Sequence, residues 1–74
     1  MKTGIYRHYK WKYYEVVWVA LHSETQEELV VYKALYEVEG KGFASLWVRP
    51  KEMFEETVEI HGELVPRFEY VNAK

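Results

Sequence analysis

The sequence predicts an all-β (mainly β) domain, built as a small antiparallel barrel or a bent sheet of five to six strands. Three observations predict this class. Short runs rich in Val, Ile, Tyr and Trp recur along the chain, and such residues favour strands. Glycine-containing segments separate the runs at hairpin spacing. An apolar run that ends in Arg49-Pro50 marks a strand end, because proline cannot donate to a sheet ladder.

The first two strands are predicted over Ile5 to Trp11 and over Tyr13 to Leu21. In the first strand, Arg7 shares a face with Ile5 and Tyr9, because successive side chains point to opposite faces. The second strand is apolar on both faces, which is typical of a central strand that is covered on both sides. A loop, the helical turn further along the chain or another subunit would provide the second cover, so a homodimer is one expectation.

The segment after the second strand has two interpretations. Residues 23–26 resemble a capping box, and the spacing of apolar residues beyond them predicts a helix over Thr25 to Tyr36. The β-branched and aromatic content instead predicts a strand over Leu29 to Val38, reached through a loop at His22 to Glu28. We favour the strand and expect it to pair with Phe43 to Arg49.

Pro50 pre-sets the backbone for one short helical turn, which extends to Glu55. This turn carries Met53 and Phe54, two large apolar side chains. We expect both of them to fold back on the sheet as a plug that closes the barrel.

A last pair of strands is predicted over Thr57 to Ile60 and over Leu64 to Val71. Gly62 lies between them and supplies the positive φ that a tight hairpin turn needs. Pro66 interrupts the second run, which indicates an edge strand or a bulge. Taken together, the elements are closest in plan to a Src-homology-3-like barrel.

The 74 residues form a single domain, 1–74, and the chain has no cysteine. Disulfides and thiolate zinc sites are therefore excluded, and the composition fits a reducing cytoplasm, which we predict as the location. No long apolar run is present, so we expect neither a signal peptide nor a membrane span.

The net charge of -2 is divided unevenly along the chain. Residues 1–14 carry four basic residues and no acid (+4), and the remainder carries six basic residues against twelve Glu (-6).

Several pieces of the chain occur together as a recognisable set, namely Gly4-Ile5-Tyr6-Arg7-His8-Tyr9-Lys10, His22-Ser23-Glu24-Thr25, Leu29-Val30-Val31-Tyr32-Lys33-Ala34-Leu35-Tyr36, Leu46-Trp47-Val48-Arg49-Pro50 with Met53-Phe54, and Pro66-Arg67-Phe68. With them the chain resembles a bacterial domain-of-unknown-function family of short, stand-alone proteins. The resemblance implies a small, mostly β, cytoplasmic domain and carries no catalytic residue. The chain departs from the family pattern at Trp11, where glycine is expected, and at Trp18, where a smaller residue is expected.

Arginine and aromatic side chains are the best candidates for binding a ligand. Arg7, Tyr9 and Trp11 share one strand face and are placed to form a cation–π shelf. Arg49 and Arg67 each adjoin a proline, which fixes the direction of the guanidinium; the alternative for both is an ion pair with Glu15 or Glu52. The complete set of predicted ligand-binding residues is Arg7, Tyr9, Trp11, His22, Trp47, Arg49 and Arg67.

The sequence predicts no catalytic residues, no cofactor and no metal site. His22, Ser23 and Glu24 have the side-chain types of a hydrolytic triad, but neighbours on an extended chain cannot converge on one reacting atom. The spacing of His8, His22 and His61 matches no recognised set of metal ligands. The segment Gly40-Lys41-Gly42 is too short for a phosphate loop and is interpreted as a hairpin loop.

The best functional hypothesis is a small non-enzymatic binding module for a peptide, a protein or a small ligand. The alternative is single-stranded nucleic-acid binding through the basic, aromatic-rich segment Tyr6 to Tyr14, with bases stacked on rings and phosphates on Lys10 and Lys12. Twelve Glu and a net charge of -2 count against this alternative. An enzyme is disfavoured, because so short a chain without Asp or Cys has few means of enclosing a reacting centre.

Overall fold

The computed structural model describes residues 1–73, which contain nine strands and one helical turn. In chain order the elements are β1 (Gly4–His8), β2 (Tyr13–Leu21), β3 (Glu28–Ala34), β4 (Glu37–Val38), β5 (Gly42–Phe43), β6 (Leu46–Pro50), α1 (Lys51–Phe54), β7 (Thr57–Ile60), β8 (Glu63–Pro66) and β9 (Phe68–Asn72). The predicted all-β class and the helical turn after Pro50 are confirmed.

A five-stranded antiparallel sheet in the order β6-β3-β2-β1-β9 forms the body of the molecule. β2 is the central strand, as its two-sided hydrophobicity predicts. The edge strands β6 and β9 do not pair with each other within residues 1–73, so the sheet is open and agrees with the bent sheet rather than the barrel. Register shifts at Ile5/Tyr6 and at Val16/Trp18 interrupt the ladders, and such bulges bend a strand.

The strand interpretation of the ambiguous segment is correct, and the helix over Thr25 to Tyr36 is wrong. β3 pairs with β2 on one side and with β6 on the other, so both of its edges carry ladder hydrogen bonds. β3 ends at Ala34, earlier than predicted, at a β-bulge: Ala34 bonds two residues of the facing segment, Ser45 and Ala44, at 3.0 Å each, and Ala44 has a φ of 62°. β4 and β5 then form a small hairpin of their own.

The last predicted strand is divided in two at Arg67. Its amide donates to the Glu56 carbonyl at 3.0 Å, and its carbonyl accepts from the Tyr9 amide at 2.9 Å. β8 therefore pairs with β7 in a separate hairpin, whereas β9 joins the main sheet beside β1. The predicted turn between β7 and β8 is confirmed, with φ values of 50° at His61 and 84° at Gly62.

The core lies on one side of the five-stranded sheet, which we call the inner face. It is formed by six buried side chains, Tyr6, Val16, Val30, Tyr32, Phe54 and Phe68. The Phe54 and Phe68 rings stack with their centroids 4.0 Å apart and their planes at 6°. Only half of the predicted plug forms, since Phe54 is 1% exposed and Met53 is 46% exposed. Consecutive helical residues point about 100° apart, so both cannot face the sheet.

The opposite side of the sheet, which we call the outer face, carries exposed apolar side chains. Trp18 is 68% exposed beside the β2 bulge, and the side chains of Leu46 and Val48 on β6 are exposed as well. A homodimer that covers this face stays a prediction.

β1 ends at His8, short of the predicted Trp11, because a turn begins there. The His8 amide donates to the Lys12 carbonyl at 2.8 Å, and the Trp11 amide donates to the His8 carbonyl at 2.7 Å.

Candidate functional site

A small cleft opens on the inner face beside the aromatic core. It has a volume of about 190 Å³ and is lined by Tyr14, Tyr32, Tyr36, Trp47 and Arg49. We call it the tyrosine–arginine cleft. Strand pairing brings the lining residues together. Trp47 on β6 lies opposite Tyr32, and Tyr14 on β2 lies opposite Ala34, two residues further along β3. Tyr36 follows the end of β3.

The three tyrosines of the cleft hold one another in place. Tyr14 meets the rings of Tyr32 and Tyr36 edge-on, with centroid distances of 5.4 and 5.5 Å. The hydroxyl oxygens of Tyr14 and Tyr36 lie 2.7 Å apart and share a hydrogen bond. This bond uses one of the two hydroxyl hydrogens, so the other is available to an acceptor on a ligand. Burial raises the pKa of Tyr14, and the hydrogen bond with Tyr36 raises it further, so the hydroxyl remains protonated at neutral pH.

Arg49 supplies the positive charge of the cleft. It lies opposite the buried Val30 in the β3–β6 ladder, which directs its half-buried side chain to the inner face. The guanidinium carbon is 5.6 Å from the centroid of the Phe68 ring. Arg49 forms no ion pair with any carboxylate of residues 1–73, so the predicted contact with Glu15 or Glu52 is wrong for this arginine.

The other two candidate arginines are already paired. An Arg7 nitrogen donates to Glu69 at 2.6 Å, and an Arg67 nitrogen donates to Glu56 at 2.6 Å. The expectation of an ion pair for Arg67 is therefore met by an acid other than those predicted. Arg7 lies on the outer face, since it follows the inward-facing Tyr6, and so it cannot share a ligand with Arg49.

The surroundings of the cleft are electrostatically positive. Burial lowers the pKa of His8, and the charges of Arg49, Arg67 and Lys10 lower it further, so these cations lie near one imidazole. The Lys12 ammonium is 4.5 Å from the centroid of the Tyr36 ring. None of the five residues that line the cleft is acidic. The arrangement therefore favours an anion.

The predicted shelf of Arg7, Tyr9 and Trp11 lies in a second groove. This groove has a volume of about 280 Å³, and its remaining lining residues are Ile60, Val65, Pro66 and Glu69. The Arg7 guanidinium carbon is 4.2 Å from the centroid of the Trp11 ring, so the expected cation–π contact forms. Trp11 has a φ of 72°, in the left-handed region that glycine adopts most easily.

His22 has a structural part in the loop between β2 and β3. Its Nδ1 accepts the amides of Glu24 and Thr25 at 3.1 and 3.4 Å, and the Thr25 hydroxyl accepts the Glu27 amide at 3.2 Å. His22 lines neither the cleft nor the second groove. The structure thus divides the predicted residues into the pair Trp47 and Arg49 in the cleft and the group Arg7, Tyr9 and Trp11 in the groove.

Sequence reasoning missed the three tyrosines of the cleft. Tyr32 and Ala34 alternate with outward-facing residues, so the period of the strand places Tyr32 inward. Pairing of Ala34 with Tyr14 adds the second ring, but only once the register is known. Tyr36 lies beyond the last residue of β3, where strand alternation gives no guidance.

No group of three or more His, Cys, Asp or Glu side chains is placed to hold a metal ion within residues 1–73. No helix among these residues is long and apolar enough to cross a membrane.

Fold and site together define a small, mostly β domain with one open antiparallel sheet and an aromatic cleft that contains an arginine. The chain belongs to the protein family of unknown function DUF1653, whose sequence profile matches residues 4–70. It is similar to the crystal structure of a DUF1653 protein from Bordetella bronchiseptica, with 34% identity and a TM-score of 0.86 over 100% of this chain and 91% of that one. No curated protein matches the chain.

Proposed function

We propose that this protein is a small non-enzymatic binding module whose tyrosine–arginine cleft takes a planar anionic group. That group belongs to a small ligand or to a peptide or protein partner. The observation that carries the proposal is Arg49, a half-buried arginine among aromatic rings that has no carboxylate partner within residues 1–73. An arginine in such surroundings is satisfied by an anion from outside the chain.

The donors in the cleft match a carboxylate or a phosphate. A guanidinium presents paired N–H donors that fit the two oxygens of either group. The Tyr14–Tyr36 hydroxyl pair adds one O–H donor beside it. Lys12 lies over the Tyr36 ring and adds a second positive charge at the margin.

The size and walls of the cleft select a small planar group. Its volume of about 190 Å³ is below the roughly 300–1,000 Å³ of pockets that enclose whole drug-sized ligands. Tyrosine and tryptophan rings favour stacked or edge-on contact with another ring. An aromatic carboxylate or a C-terminal aromatic residue of a peptide has both features.

The lining of the cleft supports a binding role rather than catalysis. Its five residues include no carboxylate, imidazole, thiol or aliphatic hydroxyl. Nucleophilic catalysis needs such a group beside a base within about 3 Å. The Nδ1 atom of His22 accepts hydrogen bonds from two backbone amides of its own loop.

The test is an amide-resolved NMR titration with matched pairs of probes. Benzoate is compared with benzamide, and a short peptide that ends in Phe is compared as its free carboxylate and its amide. We expect shifts at Tyr14, Tyr36, Trp47 and Arg49 with the carboxylates alone. Arg49→Ala should weaken benzoate binding at least tenfold, the equivalent of about 1.5–3 kcal/mol for a charged hydrogen bond.

Arg7→Ala is the matched control, because it removes an arginine from the outer face that Glu69 already neutralises. Unchanged amide spectra outside the cleft show that the variants are folded. If Arg49→Ala binds benzoate as tightly as Arg7→Ala does, or if benzamide binds as well as benzoate, the cleft is not an anion site. The alternative function, single-stranded nucleic-acid binding, concerns a different part of the molecule, the turn between β1 and β2.

A further inference from the structure

The turn between β1 and β2 holds an exposed tryptophan in an unfavourable backbone conformation. Trp11 has a φ of 72°, which a bulky L residue rarely adopts, and its side chain is 70% exposed. So exposed a ring gains little from burial that would offset the strained backbone. Strained backbone conformations of this kind are concentrated at functional sites, and here the strained residue places an indole ring at the surface.

One face of the indole is held by a fixed partner, and the ring is otherwise open. The Arg7 guanidinium lies 4.2 Å from the Trp11 centroid, and Glu69 holds that guanidinium at 2.6 Å. Tyr9 lines the same groove. The ring is thus fixed in position and offers its exposed face as a platform for stacking another ring.

Two lysines are the neighbours of Trp11 in the chain. Lys10 and Lys12 make no ion pair with a carboxylate in the part of the chain that the structure describes. Their ammonium groups lie 5.7 Å from the Tyr9 ring and 4.5 Å from the Tyr36 ring. The first 14 residues contain no acid, and the nearby Glu69 is neutralised by Arg7. The turn therefore carries two unpaired positive charges next to Trp11 in the chain, Lys10 beside the Tyr9 ring and Lys12 beside the Tyr36 ring.

We infer that this turn binds a nucleotide, with the base stacked on Trp11 and phosphate groups held by Lys10 and Lys12. Of the residues that the inference uses, only Lys12 also adjoins the tyrosine–arginine cleft, through the Tyr36 ring. Alternation of aromatic and cationic side chains is the pattern by which proteins bind single strands without reading their sequence. Free nucleotides and single-stranded nucleic acids share this chemistry. The acidic remainder of the chain limits the contact to this turn.

The experiment measures binding of a fluorescently labelled single-stranded decanucleotide of mixed sequence to the full chain at low salt, by anisotropy. Trp11→Gly is the main variant, because glycine accepts a φ of 72° and the fold is kept. We expect its affinity for the decanucleotide to fall at least about fivefold, as for loss of one stacked base. Trp18→Ala is the control, since it removes a ring of similar exposure, 68%, from the outer face.

The lysines are tested through the salt dependence of binding. Removing Lys10 and Lys12 together should lower the slope of log affinity against log salt by about 1.4, at about 0.7 for each phosphate contact with a single strand. Lys41→Ala, in the β4–β5 hairpin loop, should leave the slope unchanged.

A parallel titration with mononucleotides distinguishes the two sources of the ligand. Saturable binding of mononucleotides with the same sensitivity to Trp11→Gly would identify free nucleotides, whereas binding of the decanucleotide alone would identify nucleic acid. Absence of binding to both at low salt would overturn the inference. So would an affinity of Trp11→Gly equal to that of Trp18→Ala.

Discussion

Replacement of Phe54 by alanine should remove at least about a quarter of the stability of this domain, and up to all of it. The ring is 1% exposed, and it stacks on Phe68 with centroids 4.0 Å apart and meets Tyr6 edge-on at 5.4 Å. Truncation of a buried phenylalanine to alanine costs about 3–5 kcal/mol. Natural domains have about 0.05–0.15 kcal/mol of stability per residue, which gives roughly 4–11 kcal/mol for a chain of 74 residues.

Urea unfolding at 25 °C, followed by far-UV circular dichroism, measures this loss directly. Met53→Ala is the matched control, because Met53 lies in the same helical turn and is 46% exposed. We expect its free energy of unfolding to change by less than about 1 kcal/mol, as for most exposed substitutions. A loss for Phe54→Ala no larger than that for Met53→Ala would refute the assignment of Phe54 as the side chain that covers the inner face.

Three further predictions concern backbone conformation and pH. Trp11→Gly should be about 1 kcal/mol more stable to urea than Trp11→Ala, because a left-handed φ costs alanine about 1–2 kcal/mol, more than the extra freedom of glycine in the unfolded chain; a more stable alanine variant would contradict this. Gly4→Ala should cost about 2–3 kcal/mol, because φ is 129° and an added Cβ would lie 2.5 Å from the Asn72 carbonyl oxygen. A thermal melt that is unchanged from wild type would disprove it. Burial, and then the charge of Arg49, lower the pKa of His8 in the folded state below its ordinary value of 6.5. The unfolded chain therefore binds this proton more tightly than the folded chain does, and the free energy of unfolding should fall as the pH decreases below about 6.5. His8→Gln should lose this part of the pH dependence of unfolding, and an unchanged profile would exclude His8 as its source.

Much of the fold could be predicted because several strands carry local signals. β2 was predicted to the residue, since its run of Val, Trp and Tyr has no competing helical pattern. The turn at Gly62 and the helical turn after Pro50 followed from glycine and proline, whose backbone preferences act within a few residues. These elements depend little on the rest of the chain.

The parts that were missed depend on contacts between distant segments. The predicted strand to Val38 ends at Ala34 because a bulge at residues 44 and 45 of the facing segment interrupts the pairing there. The sheet is open because its last strand, β9, pairs with β1 at one edge, while β6 lies at the opposite edge. No local sequence pattern determines which strand takes each edge.

The candidate site was predicted in part for the same reason. Arg49 was selected because it adjoins a proline, but the absence of a carboxylate partner for it within residues 1–73 depends on which acids the fold brings near it. The distance between the Tyr14 and Tyr36 hydroxyls, 2.7 Å, joins residues 22 positions apart in the chain. Alternation along one strand holds no information about such a contact.

The pairing of β1 with β9 determines when this chain can fold during its synthesis. β2, the first neighbour of β1 in the sheet, is synthesised directly after it, but the other neighbour, β9, begins only at Phe68. The ring of Phe68 is also the stacking partner of Phe54, so the core cannot be completed before that residue is released from the ribosome. At about 5–20 residues per second, the first strand waits roughly 3–14 s with one edge unpaired. The complete domain therefore folds only after residues 68–72 have been synthesised, and a nascent chain that stalls before residue 68 exposes both an open strand edge and an unfinished aromatic core.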